Sequence, residues 1–339
     1  MNFLKQISVI AALLYSTNIV GQGLLYDESI KKQFEQGTVI SPTRDILPIR
    51  SSVKKHTPYV HLQLGSECVA YSLATARTVL WAANKGITDI KVITANSFSP
   101  FFIYYRNKSS DDYDCMNGLN AVVAAKDLLD NGVPRLFKVE CPDYWPCTGE
   151  KRLCNWYPPL YSDDLKNSSR YRLDNIYNVT STDELKFAIS EGMPVVVGMM
   201  VPESFQKQVG TLWTPASSES INSGYGHAMV VVGYDDTKYG GAFEIMNSWG
   251  TKWGNSGFIW IRYDDLVNFT VLAMALHRLS EGGLYGSADS DKLPAGQGLD
   301  GSSALEKDVQ LGVNPKWETS DSTYLMINNK TDLLLQEEE

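Results

Sequence analysis

Gly226-His227-Ala228-Met229-Val230-Val231-Val232, followed by Phe243-Glu244-Ile245-Met246-Asn247-Ser248-Trp249-Gly250, decides the reading of this chain. The apolar runs 229–232 and 243–246 predict neighbouring strands. A histidine opens one and an asparagine closes the next, so the two side chains meet across the hairpin. Asn247 then holds one ring nitrogen of His227 and leaves the other free as a base. Such a pair calls for a nucleophile, and Cys68 offers one far upstream. Cysteine, histidine and asparagine form the thiol version of nucleophile, base and orienter.

Around Cys68 the pattern is helical. Ser66 reads as an N-cap, 67–85 has helix-forming composition, and Gly86 is the stop. Cys68 falls in the first turn, where unpaired N–H groups and the positive end of the helix dipole favour a thiolate. The other four cysteines, Cys115, Cys141, Cys147 and Cys154, crowd into one region. Two disulfides plus one reactive thiol fit that count in an exported chain, with three connectivities open.

Export is expected from residues 1–21. Lys5 supplies the positive charge, 7–14 a short apolar stretch and Gly21 a small residue before the cut. The stretch is too short to span a bilayer, and no other run is long and apolar enough. The expected location is secreted or periplasmic, with no integral membrane segment in the mature chain. The 339 residues, 43% hydrophobic, suffice for a sizeable core. The net charge of −9, without a Lys/Arg cluster, argues against nucleic acid as a partner.

The chain divides into a signal at 1–21, a short prosegment or ordered lead-in at 22–46, a catalytic domain at 47–280, and a polar linker and tail at 281–339. Pro48 and Pro58 make 47–64 extended. A second helix is expected over 119–131, ending at Gly132. Stapled loops follow to about 161. Ser181-Thr182-Asp183-Glu184 signals a capping box and a helix to Ser190. Strands are expected at 194–201, 228–234, 242–247, 257–262 and 270–277. Helices first and strands later predict an α+β protein with two lobes and a cleft between them.

With these motifs in view, residues 47–278 resemble the papain-like cysteine peptidases. The most specific match is Asn247-Ser248-Trp249-Gly250-Thr251-Lys252-Trp253-Gly254, joined by Gln63-Leu64-Gly65-Ser66-Glu67-Cys68 and Gly226-His227-Ala228. Cys115-Met116-Asn117-Gly118, Phe205 and Gly210-Thr211-Leu212-Trp213 also look like the family. The resemblance implies a helical N-terminal lobe, an antiparallel β-barrel-like C-terminal lobe and an active-site cleft between them. It implies a Cys68 nucleophile, His227 as general acid and base, Asn247 as orienter, and Trp249 shielding their bond from water. Gln63 would supply the oxyanion donor, and Gly118, Leu119, Tyr225 and Ala228 would line the substrate cleft. The partner would be a protein or peptide substrate. No metal or organic cofactor is implied, and oligomeric state is left open.

Departures accompany the match. Gln63 lies five residues before the cysteine where the family has six, so either the loop is one residue shorter or Leu62 takes the position. Val69 replaces a tryptophan. Glu67 precedes the nucleophile. Pointing inward it would raise the thiol pKa; pointing outward it is a first-turn acid favoured by the dipole. Gly65 stands at a frequent disulfide position, which sends Cys115 to Cys141, Cys147 or Cys154. The lead-in is too short for a helical inhibitory prodomain, so latency would come from 22–46, the tail or a partner. His56, His61 and His277 read as surface or structural, with His61 facing away from Cys68. Two rivals remain: a peptide-binding relative without activity, and a thiol hydrolase or transferase of non-protein amides.

Overall fold

The computed structural model describes residues 23–44, 46–63, 65–136, 168 and 171–278. The expected signal, the tail 281–339, and Cys141, Cys147 and Cys154 lie outside these residues. The lead-in supplies β1 (Leu24–Leu25) and α1 (Glu28–Glu35), the latter capped by the Asp27 carboxylate on the amides of Ser29 and Ile30. Next come β2 (Arg50–Ser52), α2 (Cys68–Lys85), α3 (Ile90–Ala95) and α4 (Pro100–Asn107). Then follow β3 (Leu119–Asn120), α5 (Ala121–Asn131), β4 (Asn175–Asn178) and α6 (Thr182–Ser190). The last part holds β5 (Val195–Val201), α7 (Glu203–Gln206), β6 (Leu212–Trp213), β7 (Tyr225–Asp235) and β8 (Ala242–Met246). It ends with β9 (Phe258–Arg262), α8 (Tyr263–Phe269) and β10 (Thr270–His277).

The main sheet runs in the order β4-β10-β5-β7-β8-β9-β6, with β2 paired to β7. All pairs are antiparallel except β6 with β9, and the path is open rather than closed into a barrel. Both faces are buried, which explains the near-continuous apolar runs of the central strands. Alternate residues go to opposite sides. Val230, Val232, Leu272 and Met274 face the core that holds α2 and α5. Met229, Val231, Ala273 and Ala275 join the core under α6 and α8.

Helix α2 lies between the helical half and the sheet and is buried nearly throughout, which its small and apolar composition allows. Its N-cap is Glu67, without a side-chain bond, and not Ser66 as expected. The Ser66 amide instead donates to the Cys115 carbonyl at 2.8 Å. Likewise α5 begins at Ala121 because the Asn120 side chain caps Val122 and Val123, and Leu119–Asn120 is a strand. The Ser181 hydroxyl caps α6 as expected, but the Glu184 carboxylate bonds Thr180 rather than closing the box. Residues 22–46 had two readings, prosegment or ordered lead-in. Residues 23–44 supply β1 and α1, and Val39 bridges Asn178 at the sheet edge.

Candidate active site

Strands β7 and β8 carry the expected base and its expected orienter. His227 Nε2 lies 2.8 Å from Asn247 Oδ1, and both side chains are buried. Asn247 Oδ1 also accepts the Ser248 amide at 2.7 Å, which fixes the carboxamide so that its oxygen faces the ring. His227 then keeps its proton on Nε2, leaving Nδ1 as a buried nitrogen without a protein partner. Trp249 covers the pair, its ring stacked on His227 with centroids 4.2 Å apart and a 27° interplanar angle. Phe205 and Trp253 back Trp249 edge-on, and Trp253 Nε1 donates to the Phe205 carbonyl.

Cys68 opens α2 against this strand pair as a free, fully buried thiol. Burial pushes it up to about 11, opposed by backbone hydrogen bonds to Ala228, Gly23 and Val69. Burial likewise holds His227 down at about 4, opposed by its bond to Asn247. Both shifts favour the uncharged forms in this buried arrangement.

Gln63 lies beside the pair in a buried position. Its Oε1 accepts from Ser248 Oγ at 2.6 Å, and its Nε2 donates to the Gly65 carbonyl at 2.8 Å. Leu62 is bridged to Trp249 through the backbone. Glu67 takes the inward of its two expected orientations. It is buried and adds to the charge around Tyr104, but it is absent from the causes that move Cys68. Tyr104 donates to Asp112 Oδ2 at 2.6 Å and accepts the Gly118 amide at 3.2 Å. This buried network underpins the loop leading into the cleft.

Of the expected cleft residues, Ala228 reaches the Cys68 thiol through its backbone, and Gly118 and Leu119 lie against Gly23 and Leu24. Tyr225 stands exposed at the start of β7. His61 was expected to face away from Cys68 in a surface or structural role. Its ring packs 5.8 Å from Tyr71 and lines a small cavity with Asn247 and Ser248. His56 bonds the Ile87 carbonyl and His277 packs on Tyr177, both structural. Cys115 is disulfide-bonded, and its connectivity falls outside the described residues. Among the described residues, no cluster of His, Cys, Asp or Glu is placed to hold a metal ion, and no helix is long and apolar enough to cross a membrane.

What the sequence reading missed is the occupant of the cleft. Residues 23–25 run through it. The Gly23 carbonyl accepts the Leu119 amide at 2.8 Å, and Leu24 and Leu25 pair in parallel with Leu119 and Asn120. Leu24 is 7% exposed and packs with Leu119, Ala228 and Leu272. The available signal was a pair of leucines next to a glycine in a polar lead-in.

A thiol at a helix start, an imidazole held by a carboxamide, and an indole covering that bond define a thiol acyl-transfer class of site. The model of the papain family cysteine proteases matches residues 141–276, the stretch that carries His227 and Asn247. A peptidase C1-like protein of Acanthamoeba polyphaga mimivirus is 27% identical over 202 residues, covering 56% of this chain and 61% of its own. Thiol protease aleurain of Arabidopsis thaliana is 27% identical over 151 residues, covering 44% and 38%. The chain thus spans about three fifths or less of the length of these relatives. Among solved structures, xylellain, a cysteine protease from Xylella fastidiosa, superposes with TM-score 0.60 at 23% identity, over 77% of this chain and 97% of that one. Digestive procathepsin L 3 of Tenebrio molitor gives 0.53 at 18% identity, over 74% and 78%. The chain is thus similar to the papain family of cysteine peptidases over residues 141–276 and shares the fold of its solved members.

Proposed function

We propose that the protein is an exported cysteine endopeptidase that hydrolyses peptide bonds through a thioester on Cys68. The observation that carries this reading is the 2.8 Å bond between His227 and Asn247 beside a free thiol at the start of α2. Once solvent and substrate reach the site, His227 Nδ1 takes the Cys68 proton, and the thiolate attacks the peptide carbonyl. The imidazolium gives that proton to the leaving amine. Water then attacks the thioester, with His227 accepting its proton and returning it to sulfur. The Cys68 amide and Gln63 Nε2 stabilise the oxyanion, and Ser248 holds Gln63 by its carbonyl end. This requires Gln63 Nε2 to leave the Gly65 carbonyl for the substrate.

Two features support export: the signal-like residues 1–21 and the disulfide at Cys115. The test is cleavage of an unfolded protein by purified chain freed of residues 1–25, beside a Cys68→Ala control. Cleavage that disappears in the control is the expected result. No cleavage, with Cys68 reachable by an alkylator, would favour the peptide-binding alternative.

A further inference from the structure

The Asn247 carboxamide is held by the protein at one end. Its Oδ1 lies 2.8 Å from His227 Nε2 and accepts the Ser248 amide at 2.7 Å, so both lone pairs are used. Its Nδ2, with two N–H donors, is buried and has no hydrogen-bond partner among the described residues. Leaving such a donor unmatched is costly, and buried amides are nearly always matched by protein or by an ordered water.

A small cavity adjoins this side chain, lined in part by Asn247, Ser248, His61, Tyr71, Ser72 and Thr75. Its volume, about 10 Å³ open to the centre of a water, suits one water molecule and no larger ligand. A water there needs two to four polar partners, and the walls supply them. Ser72 and Thr75 are buried on α2, at i+4 and i+7 from Cys68, which places them on the same face of the helix as the thiol.

His61 completes the walls. Its carbonyl accepts the Gly250 amide at 2.9 Å, which ties it to the turn after Trp249. Its ring packs against Tyr71 with centroids 5.8 Å apart. Burial holds this imidazole down at about 4, so at neutral pH it is uncharged and one ring nitrogen is an acceptor. A buried amide donor and a neutral imidazole thus share one cavity of the size of a water.

We propose that His61 is a positioning residue: through one water in this cavity it holds Asn247 Nδ2, and the Ser72 and Thr75 hydroxyls tie the same water to the helix that carries Cys68. Asn247 is then fixed at both ends, its oxygen by the Ser248 amide and its nitrogen by His61. The carboxamide cannot turn over and face its N–H groups to the Nε2–H of His227. The inference rests on the reading of His227 as base and Asn247 as its orienter, but not on turnover. Its test therefore reads the ring proton of His227 rather than cleavage.

The experiment uses the full chain labelled with 15N-histidine, which has four histidines to resolve. The His227 Nε2–H signal is assigned by its loss in His227→Gln. Its exchange with solvent is measured at neutral pH, and folding is checked by thermal unfolding. His61→Leu keeps bulk and removes the acceptor, and is expected to quicken that exchange about five- to tenfold. His61→Gln, which keeps an acceptor oxygen, is expected to restore most of the protection. Thr75→Val keeps the shape and removes a hydroxyl, and is expected to quicken exchange in the same direction. A residue that only packs would instead lower the unfolding temperature and speed buried backbone amides alike, with His61→Gln no better than His61→Leu. That pattern would overturn the proposal, as would unchanged His227 Nε2–H exchange in folded His61→Leu. Should His61→Leu fail to fold, unchanged exchange in Thr75→Val would overturn it. Quickened exchange in variants of a chain that cleaves no peptide would leave the role of His61 standing and sink the peptidase reading.

Discussion

His227 and Trp249 are stacked at 4.2 Å between centroids, so the indole closes the His227–Asn247 hydrogen bond from solvent. A hydrogen bond sheltered in this way is stronger than the same bond in water. Asn247→Ala removes the proposed orienter and is expected to lower kcat by about 100-fold with KM little changed, measured on the chain freed of residues 1–25. Trp249→Phe keeps a ring but uncovers part of the bond, so its loss should be smaller.

Ser248 ties Asn247, the proposed orienter, to Gln63, the proposed oxyanion donor. Its amide bonds Asn247 and its hydroxyl bonds Gln63. Ser248→Ala keeps the amide and frees the glutamine. We expect a fall in kcat of several-fold, up to the roughly 100-fold typical of losing one oxyanion donor. The pH profile should stay unmoved, because the His227–Asn247 bond is untouched. Ser248→Thr should restore part of the rate.

The stability of the closed form should fall in acid. Burial lowers His227 and His61 to about 4 from a usual 6.5. A histidine lowered on folding takes its proton first in the unfolded chain. Stability is therefore complete above about pH 6.5 and is lost as pH falls toward 4. Urea midpoints at pH 7.5 and 4.5 measure this, and His61→Phe should flatten part of the acid limb. At the alkaline end Cys68, raised to about 11 by burial, should cost stability as pH climbs from 9 toward 11, a limb absent in Cys68→Ala.

Tyr104 holds Asp112 through its hydroxyl and caps the Gly118 amide. Tyr104→Phe leaves a buried carboxylate oxygen and a cleft amide short of partners. The expected cost is about 1–3 kcal/mol, read from urea unfolding.

The site was legible because its chemistry is short-range in sequence or sits on strongly patterned elements. His227 and Asn247 lie at the near ends of two apolar strands, and Gly86 ends α2 in a left-handed turn. Three things were not legible. Helices α3 and α4 are short, and their caps, Asp89 and Ser99 with Pro100, lie in a stretch without clear apolar period. The inward turn of Glu67 and the position of His61 depend on packing against distant residues, Tyr104 in one case and Tyr71 in the other. The path of residues 23–25 depends on Leu24 meeting Leu119 and Leu272, a tertiary contact that a polar lead-in does not announce.

The most direct test of the central claim is covalent trapping of Cys68. The chain freed of residues 1–25 is mixed with a peptidyl chloromethyl ketone and followed by intact mass and peptide mapping. The account predicts one adduct, on Cys68, formed far faster than on an unstructured cysteine peptide and slowed at least tenfold by His227→Ala. Labelling at the rate of an unstructured thiol, indifferent to His227, would contradict it.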